Sequence, residues 1–289
     1  MKQPGQIIRS YGRRFIVETA GRTYDCTSRG KRVDFACGDH VQLSIINDEQ
    51  AVIESVDERS SLLYRQDDWR TKLIAANVSR IIFVTAAVPS PNEELLNRCL
   101  LAAEAADIEP VILVNKRDLP ETAAWLSKLQ AYEKLGYKLA VVSALDGAAE
   151  LRPLLQGHTS VLVGQSGMGK STLTNALLPE AAARVGDISV ALDSGKHTTT
   201  HAALYHLDSE SHLIDSPGLQ EFGLGHIGAT ELPALFPEIR PYIGQCRFHN
   251  CSHRMEPSCA IKQACDDGQI SPARLTLLQK LVTHAQNAK

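Results

Sequence analysis

Apolar and polar positions alternate in short runs over the first part of the chain. Residues 5–10, 14–19, 23–27, 40–46 and 51–56 each read as a short strand, with turn signals between them at Gly12, Ala20-Gly21, Arg29-Gly30, Cys37-Gly38-Asp39 and Asn47-Asp48. Five short strands without a helical period predict a small barrel of OB type. Residues 59–77 are polar and irregular, which predicts a linker containing one short helix. The pattern then changes. Near-continuous apolar runs at 80–86, 110–114, 138–142 and 159–163 alternate with helical patterns at 93–106, 122–135, 148–155 and 172–178, the last stopped by Pro179. Such alternation predicts an α/β fold, a parallel sheet with helices on its faces and binding loops at the carboxyl ends of its strands. Runs at 203–207 and 212–214 read as a hairpin, and Ser271-Pro272 opens a final packing helix with Leu275, Leu278 and Val282 at helical spacing. These patterns divide the chain into residues 1–65, 66–225 and 226–289.

Composition narrows the class. With 289 residues, 44% of them hydrophobic and 22% charged, the chain is long enough for two or three domains of a soluble protein. No apolar run approaches the ~18 residues of a membrane span, and the start, Met1-Lys2-Gln3-Pro4-Gly5, lacks the plan of a signal peptide. Seven cysteines, three of them in a metal-like cluster, fit a reducing cytoplasm better than a disulfide framework. A net charge of −3 means that affinity for nucleic acid must come from local patches. One lies in residues 1–32, where eight basic side chains face only Glu18 and Asp25, with Tyr11, Phe15 and Tyr24 interleaved. That set suits RNA, with charges for the backbone and aromatics for stacking; it equally describes a solvated basic face over core aromatics. A smaller basic set, Arg240, Arg247, Arg254 and Lys262 against Glu256, lies near the C-terminus.

The candidate chemistry centres on Gly164-Gln165-Ser166-Gly167-Met168-Gly169-Lys170-Ser171-Thr172, placed between a strand pattern and a helix pattern. This is the phosphate-cradling G-x-x-x-x-G-K-[ST] in its full context. Glycines let backbone N–H groups turn toward phosphate oxygens, Lys170 reaches the β- and γ-phosphates, and the Ser171 hydroxyl suits Mg²⁺. Upstream, Asn115-Lys116-Arg117-Asp118 follows the strand pattern at 110–114. Asp118 can accept two hydrogen bonds from guanine that adenine cannot supply, Asn115 ties the loop and reaches the base edge, and the Lys116 stem covers the ring. Leaving a buried carboxylate unpaired is expensive, so such a site discriminates by about 10⁴. Ser143-Ala144, one strand further on, can present a backbone N–H to the guanine carbonyl. Downstream, residues 186–200 form a Gly-, Ser- and Thr-rich stretch suited to a switch loop, and Asp215-Ser216-Pro217-Gly218 ends the hairpin. There Asp215 would hold Mg²⁺ through water, and the Gly218 N–H would meet the γ-phosphate. Cys246, Cys251, His253 and Cys259 have the spacing C-x₄-C-x-H-x₅-C of a closed structural zinc site, with His249 and Cys265 nearby as substitute ligands.

Together these motifs form the guanine-nucleotide set in an altered order, with the base-reading motifs ahead of the phosphate loop. A barrel before them and a Cys/His cluster after them complete the pattern. Over essentially its whole length the chain resembles the RsgA (YjeQ) family, circularly permuted GTPases that depend on the small ribosomal subunit. The resemblance implies GTP hydrolysis to GDP and phosphate in late maturation of that subunit, contact with rRNA, and stimulation by the subunit. It also selects Cys246, Cys251, His253 and Cys259 as ligands of one zinc. Leu219 stands where signalling GTPases place a water-orienting Gln, and the resemblance points instead to His197 as the catalytic residue beside Lys170. Lys196 occupies a place where the family pattern suggests Arg. Thr198 is the expected switch ligand to Mg²⁺, and a monomer the expected state. The rival classes are a GTP-sensing RNA-binding module without a ribosomal role and an ATPase with a chance N-K-R-D.

Overall fold

The computed structural model describes residues 2–29, 34–67, 70–147, 149–182, 202–215 and 224–287. Five strands, β1 (Gln3–Ser10), β2 (Phe15–Thr19), β3 (Arg22–Ser28), β4 (His40–Ile45) and β5 (Gln50–Val56), close into a barrel in the order β1-β2-β3-β5-β4, with β4 returning to β1. The pleat sends alternate side chains inward, so Ile7, Phe15, Val17, Tyr24, Val41, Leu43 and Ile53 fill it. This corrects part of the RNA-stacking expectation. Phe15 and Tyr24 occupy inward positions and are 4% and 5% exposed, whereas Tyr11, in the β1–β2 turn, is 41% exposed. The basic face is also partly neutralised, because Arg14 pairs with Asp25 and Arg29 with Glu54.

The expected linker is instead an antiparallel hairpin, β6 (Leu62–Asp67) and β7 (Arg70–Ala76). A register shift between Leu63 and Tyr64 interrupts its two-residue period, which hid the strands in the sequence. Its base is held to the barrel by Ala76 N–H donating to Cys37 O and by Asn77 Nδ2 donating to Gly38 O. Beside it, Arg59 forks onto the fully buried Asp39 carboxylate at 2.7 and 2.8 Å.

Six strands form the second sheet: β8 (Arg80–Thr85), β9 (Glu109–Val114), β10 (Lys138–Val141), β11 (Thr159–Val163), β12 (Ala203–His206) and β13 (His212–Asp215). Their order is β10-β9-β8-β11-β13-β12, parallel except for β12. Flanking it are α1 (Glu93–Ala105), α2 (Thr122–Lys134), α3 (Arg152–Leu155) and α4 (Lys170–Ala182). Asn92 caps α1 by accepting the Leu95 N–H, and Glu93 and Glu94 favour its positive end. The helical pattern at 148–155 shortens to the single turn of α3. By contrast, α4 runs through Pro179, since a helix can absorb one missing hydrogen bond. β12 also bridges to β1 at Ala203–Arg9, so sheet and barrel form one eleven-stranded ribbon.

The C-terminal segment adds α5 (Ala260–Asp266), a helix too short for its period to show in the sequence, and α6 (Pro272–Asn287). Phe236, Ile239 and Leu278, all fully buried, share one core with Leu96 and Leu100 of α1. A buried polar network crosses this contact. Arg274 of α6 pairs with Glu238, stacks over Phe236 and donates to Asn97 Oδ1 at 2.6 Å, while Asn97 Nδ2 donates to the Tyr132 hydroxyl at 3.0 Å. Among the described residues no helix is long and apolar enough to cross a membrane.

Candidate nucleotide site and metal centre

Because β8, β9, β10, β11 and β13 are parallel, the loops that follow them open on one edge of the sheet. Residues 164–169 leave buried β11 and wrap against the ends of β8 and β9. Only glycine fits two of these positions. A Cβ on Gly164, at φ +140°, would lie 2.2 Å from Val84 O, and one on Gly169, at φ +95°, would lie 2.2 Å from Asn115 Nδ2. Met168 drops its side chain into the core and leaves its carbonyl to Asn115 Nδ2 at 2.9 Å. Gln165 Oε1 accepts the Asn92 N–H at 3.1 Å, which ties the loop to the start of α1. Lys170 opens α4, and its ammonium donates to Gly164 O and Gln165 O at 2.7 and 2.8 Å. Burial lowers the Lys170 pKa, and the Asp215 carboxylate opposes that shift. Ser166, Ser171 and Thr172 are exposed around the loop and the first turn of α4.

The residues expected to read the base meet the same loop. Asn115, 1% exposed, accepts the Ala144 N–H on Oδ1 at 2.9 Å, so one amide joins the loops after β9, β10 and β11. Lys116 adopts φ +60°, and its ammonium donates to Val88 O and Gly167 O at 2.9 and 2.8 Å. Ser143 donates its hydroxyl to Asp118 Oδ1 at 2.9 Å. Asp118 itself is exposed at the rim, so any burial of this carboxylate must come from a bound base. Gly218, His197 and Thr198, with the rest of residues 186–200, lie outside the described residues.

The four expected metal ligands converge. One donor atom from each of Cys246, Cys251, His253 and Cys259 lies within 4.8 Å of the others. His253 Nδ1 stands 3.6 Å from Cys246 Sγ and 3.5 Å from Cys259 Sγ, and the two sulfurs are 3.8 Å apart. A tetrahedron with metal–sulfur bonds of about 2.3 Å and metal–nitrogen bonds of about 2.0 Å has edges of about 3.8 and 3.5 Å, so the donor set fits. His249 and Cys265 are not part of this group. The Glu256 carboxylate shapes the loop by accepting the Ser252 hydroxyl and the N–H groups of Ser252, Arg254 and Met255. Cys259 caps α5, with its sulfur accepting the Lys262 N–H, and Gln279 of α6 donates to His253 O. This is a Cys₃His group that could hold a metal ion.

The profile of the RsgA GTPase family matches residues 56–225. The chain belongs to the RsgA GTPase family. A relative from Neisseria meningitidis serogroup B, named small ribosomal subunit biogenesis GTPase RsgA, is 63% identical over 280 residues, spanning 96% of this chain and 91% of its own length. A relative of the same name from Nitrosospira multiformis is 50% identical over 281 residues, spanning 96% and 90%. The crystal structure of YjeQ from Thermotoga maritima superposes with a TM-score of 0.74 at 27% identity, covering 99% of both chains. That of YloQ, described as a circularly permuted GTPase, gives 0.72 at 28%, covering 100% of this chain and 96% of its own. As an RsgA-type GTPase the chain is a hydrolase, and its reversed motif order is the permutation that the YloQ description names.

Proposed function

We propose that this protein hydrolyses GTP to GDP and phosphate during late maturation of the small ribosomal subunit, and that the subunit accelerates turnover. The observation that carries this reading is the convergence of Asn115, Asp118 and Ser143-Ala144 with the phosphate loop on one sheet edge, in a chain so similar to relatives named for that process. In this reading Asp118 and Asn115 select guanine, while Lys116 braces the phosphate loop. The N–H groups of residues 164–172 hold the phosphates, joined by Gly218 on the γ-phosphate side. Lys170 exchanges its loop carbonyls for phosphate oxygens, an exchange favoured because a partly desolvated ammonium gains most from a multiply charged partner. Ser171, Thr198 and Asp215 hold Mg²⁺, which when bound neutralises developing phosphate charge. His197 positions the attacking water. The Cys₃His centre holds one structural zinc, a choice supported by the thiolate-rich donor set and its tetrahedral edges.

Residues 1–65 and 226–289 act as RNA-contacting modules on either side of the GTPase segment 66–225, in a monomer working in the cytoplasm. The exposed Tyr11 and the arginines of the barrel face supply the first contact. The deciding experiment is steady-state GTP turnover with and without purified small subunits. A large acceleration is expected, and unchanged turnover overturns the assignment.

A further inference from the structure

Between the two base-reading side chains stands a residue that the function above leaves unused. Arg117 Nη1 donates to both carboxylate oxygens of Glu150 at 2.9 Å, and Nη2 donates to Asp146 Oδ2 at 2.5 Å. Its backbone N–H donates to Val142 O at 3.1 Å. One guanidinium therefore spans from the loop after β9 to two points of the segment after β10. The nearer of those points, Asp146, is the last residue of a tight 3₁₀ turn, Ala144–Asp146. Asn115 grips that turn at its start through the Ala144 N–H, and Arg117 grips it at its end through Asp146.

Exposed ion pairs usually add little stability, and these side chains are 41% to 53% exposed. A planar fork, however, binds two carboxylates at once and fixes their relative position, which a lysine cannot do.

We propose that Arg117 is a specificity-positioning residue: through Asp146 and Glu150 it holds the turn whose Leu145 N–H, the one of its three not taken up by Asn115 Oδ1 or Ser143 O, meets the 6-carbonyl of the purine. The proposal rests on the guanine reading of Asn115 and Asp118. It divides that recognition into two separable halves. Asp118 accepts from the ring N1–H, which guanine and hypoxanthine share, and from the 2-amino group, which hypoxanthine lacks, whereas the turn reads the 6-oxo group, which both share and adenine replaces by an amine.

The test is competition binding of GDP, IDP and ADP to the full-length protein. Arg117→Ala is expected to weaken GDP and IDP together by about fivefold, the scale of one lost exposed ion-pair network, and to leave ADP unchanged. Preference for 6-oxo over 6-amino purines falls while the GDP:IDP ratio holds. Arg117→Lys keeps the charge but loses the fork, and recovers only part of the loss. Adding Glu150→Ala to Arg117→Ala brings less further loss than Glu150→Ala alone. An equal loss for all three nucleotides would mean a general structural role and overturn the proposal, as would an unchanged 6-oxo preference. Asp118→Asn in the same assay examines the underlying reading separately, since it should collapse the GDP:IDP ratio whatever Arg117 does.

Discussion

Gly164 lies against the carbonyl of Val84 so closely that a single methyl has nowhere to go. Gly164→Ala is therefore expected to displace either the phosphate loop or β8, at a cost of about 2–4 kcal/mol in stability and with loss of GDP binding. Urea unfolding and GDP titration check this; an alanine variant of unchanged affinity would show that the loop is not held as described. Residues of this kind were legible in the sequence because the phosphate and base motifs are local, each set by a few consecutive positions. What the sequence left open depends on neighbours far along the chain. Arg117 meets Glu150 thirty-three positions away, and Phe15 and Tyr24 turn inward because of a pleat that composition does not reveal. The choice of His253 over His249 came from resemblance, and the converging donor atoms now support it.

At the scale of elements, long periodic segments were easy to read and short or irregular ones were not. The parallel strands emerged within a residue or two, whereas β6–β7 was obscured by its bulge and α5 by its length. The hairpin β12–β13 carries a feature that no motif announced. His206 Nδ1 stands 2.9 Å from His212 Nδ1, and His206 Nε2 stands 2.6 Å from Glu18 Oε2 of the barrel. The ring-to-ring contact holds one proton, and a second would set two donors against each other. Burial pushes the His212 pKa down, with His206 and His40 adding and Asp208 and Glu18 opposing. An unfolded histidine takes up its proton near pH 6.5 and this one only lower, so its contribution is present above about pH 6.5 and is lost as pH falls below it. The urea midpoint is expected to drop between pH 7.5 and 5.5, more steeply in the parent than in His212→Asn. Because the ring is only half-buried, the slope stays below the ~1.4 kcal/mol per pH unit that one site can give. Identical slopes would exclude His212 as the cause.

Over the whole molecule, the C-terminal segment is built into the GTPase core rather than strung behind it. Leu278 and Phe236 pack with α1, and the Arg274–Glu238 pair closes the contact with both side chains about 5% exposed. The Cys₃His group touches α6 through Gln279, which donates to His253 O. Removing the metal with a chelator should loosen residues 246–266 first, seen as faster amide exchange there, while the barrel strands keep their protection. Unchanged exchange after confirmed metal loss would remove the structural role of the centre.

The strand order β10-β9-β8-β11-β13-β12-β1 also bears on synthesis. A chain made from its N-terminus closes the barrel by Val56, then lays β9 beside β8 and β10 beside β9. β11 next joins the free side of β8, and the hairpin β12–β13 fills the gap to the waiting β1. Each new piece meets a neighbour already in place, and the loops after β9 and β10 exist before residues 164–172 have been made. On the proposed site, guanine nucleotide can thus serve as a folding ligand only once residues 164–172 have been made, when more than half of the chain is already built.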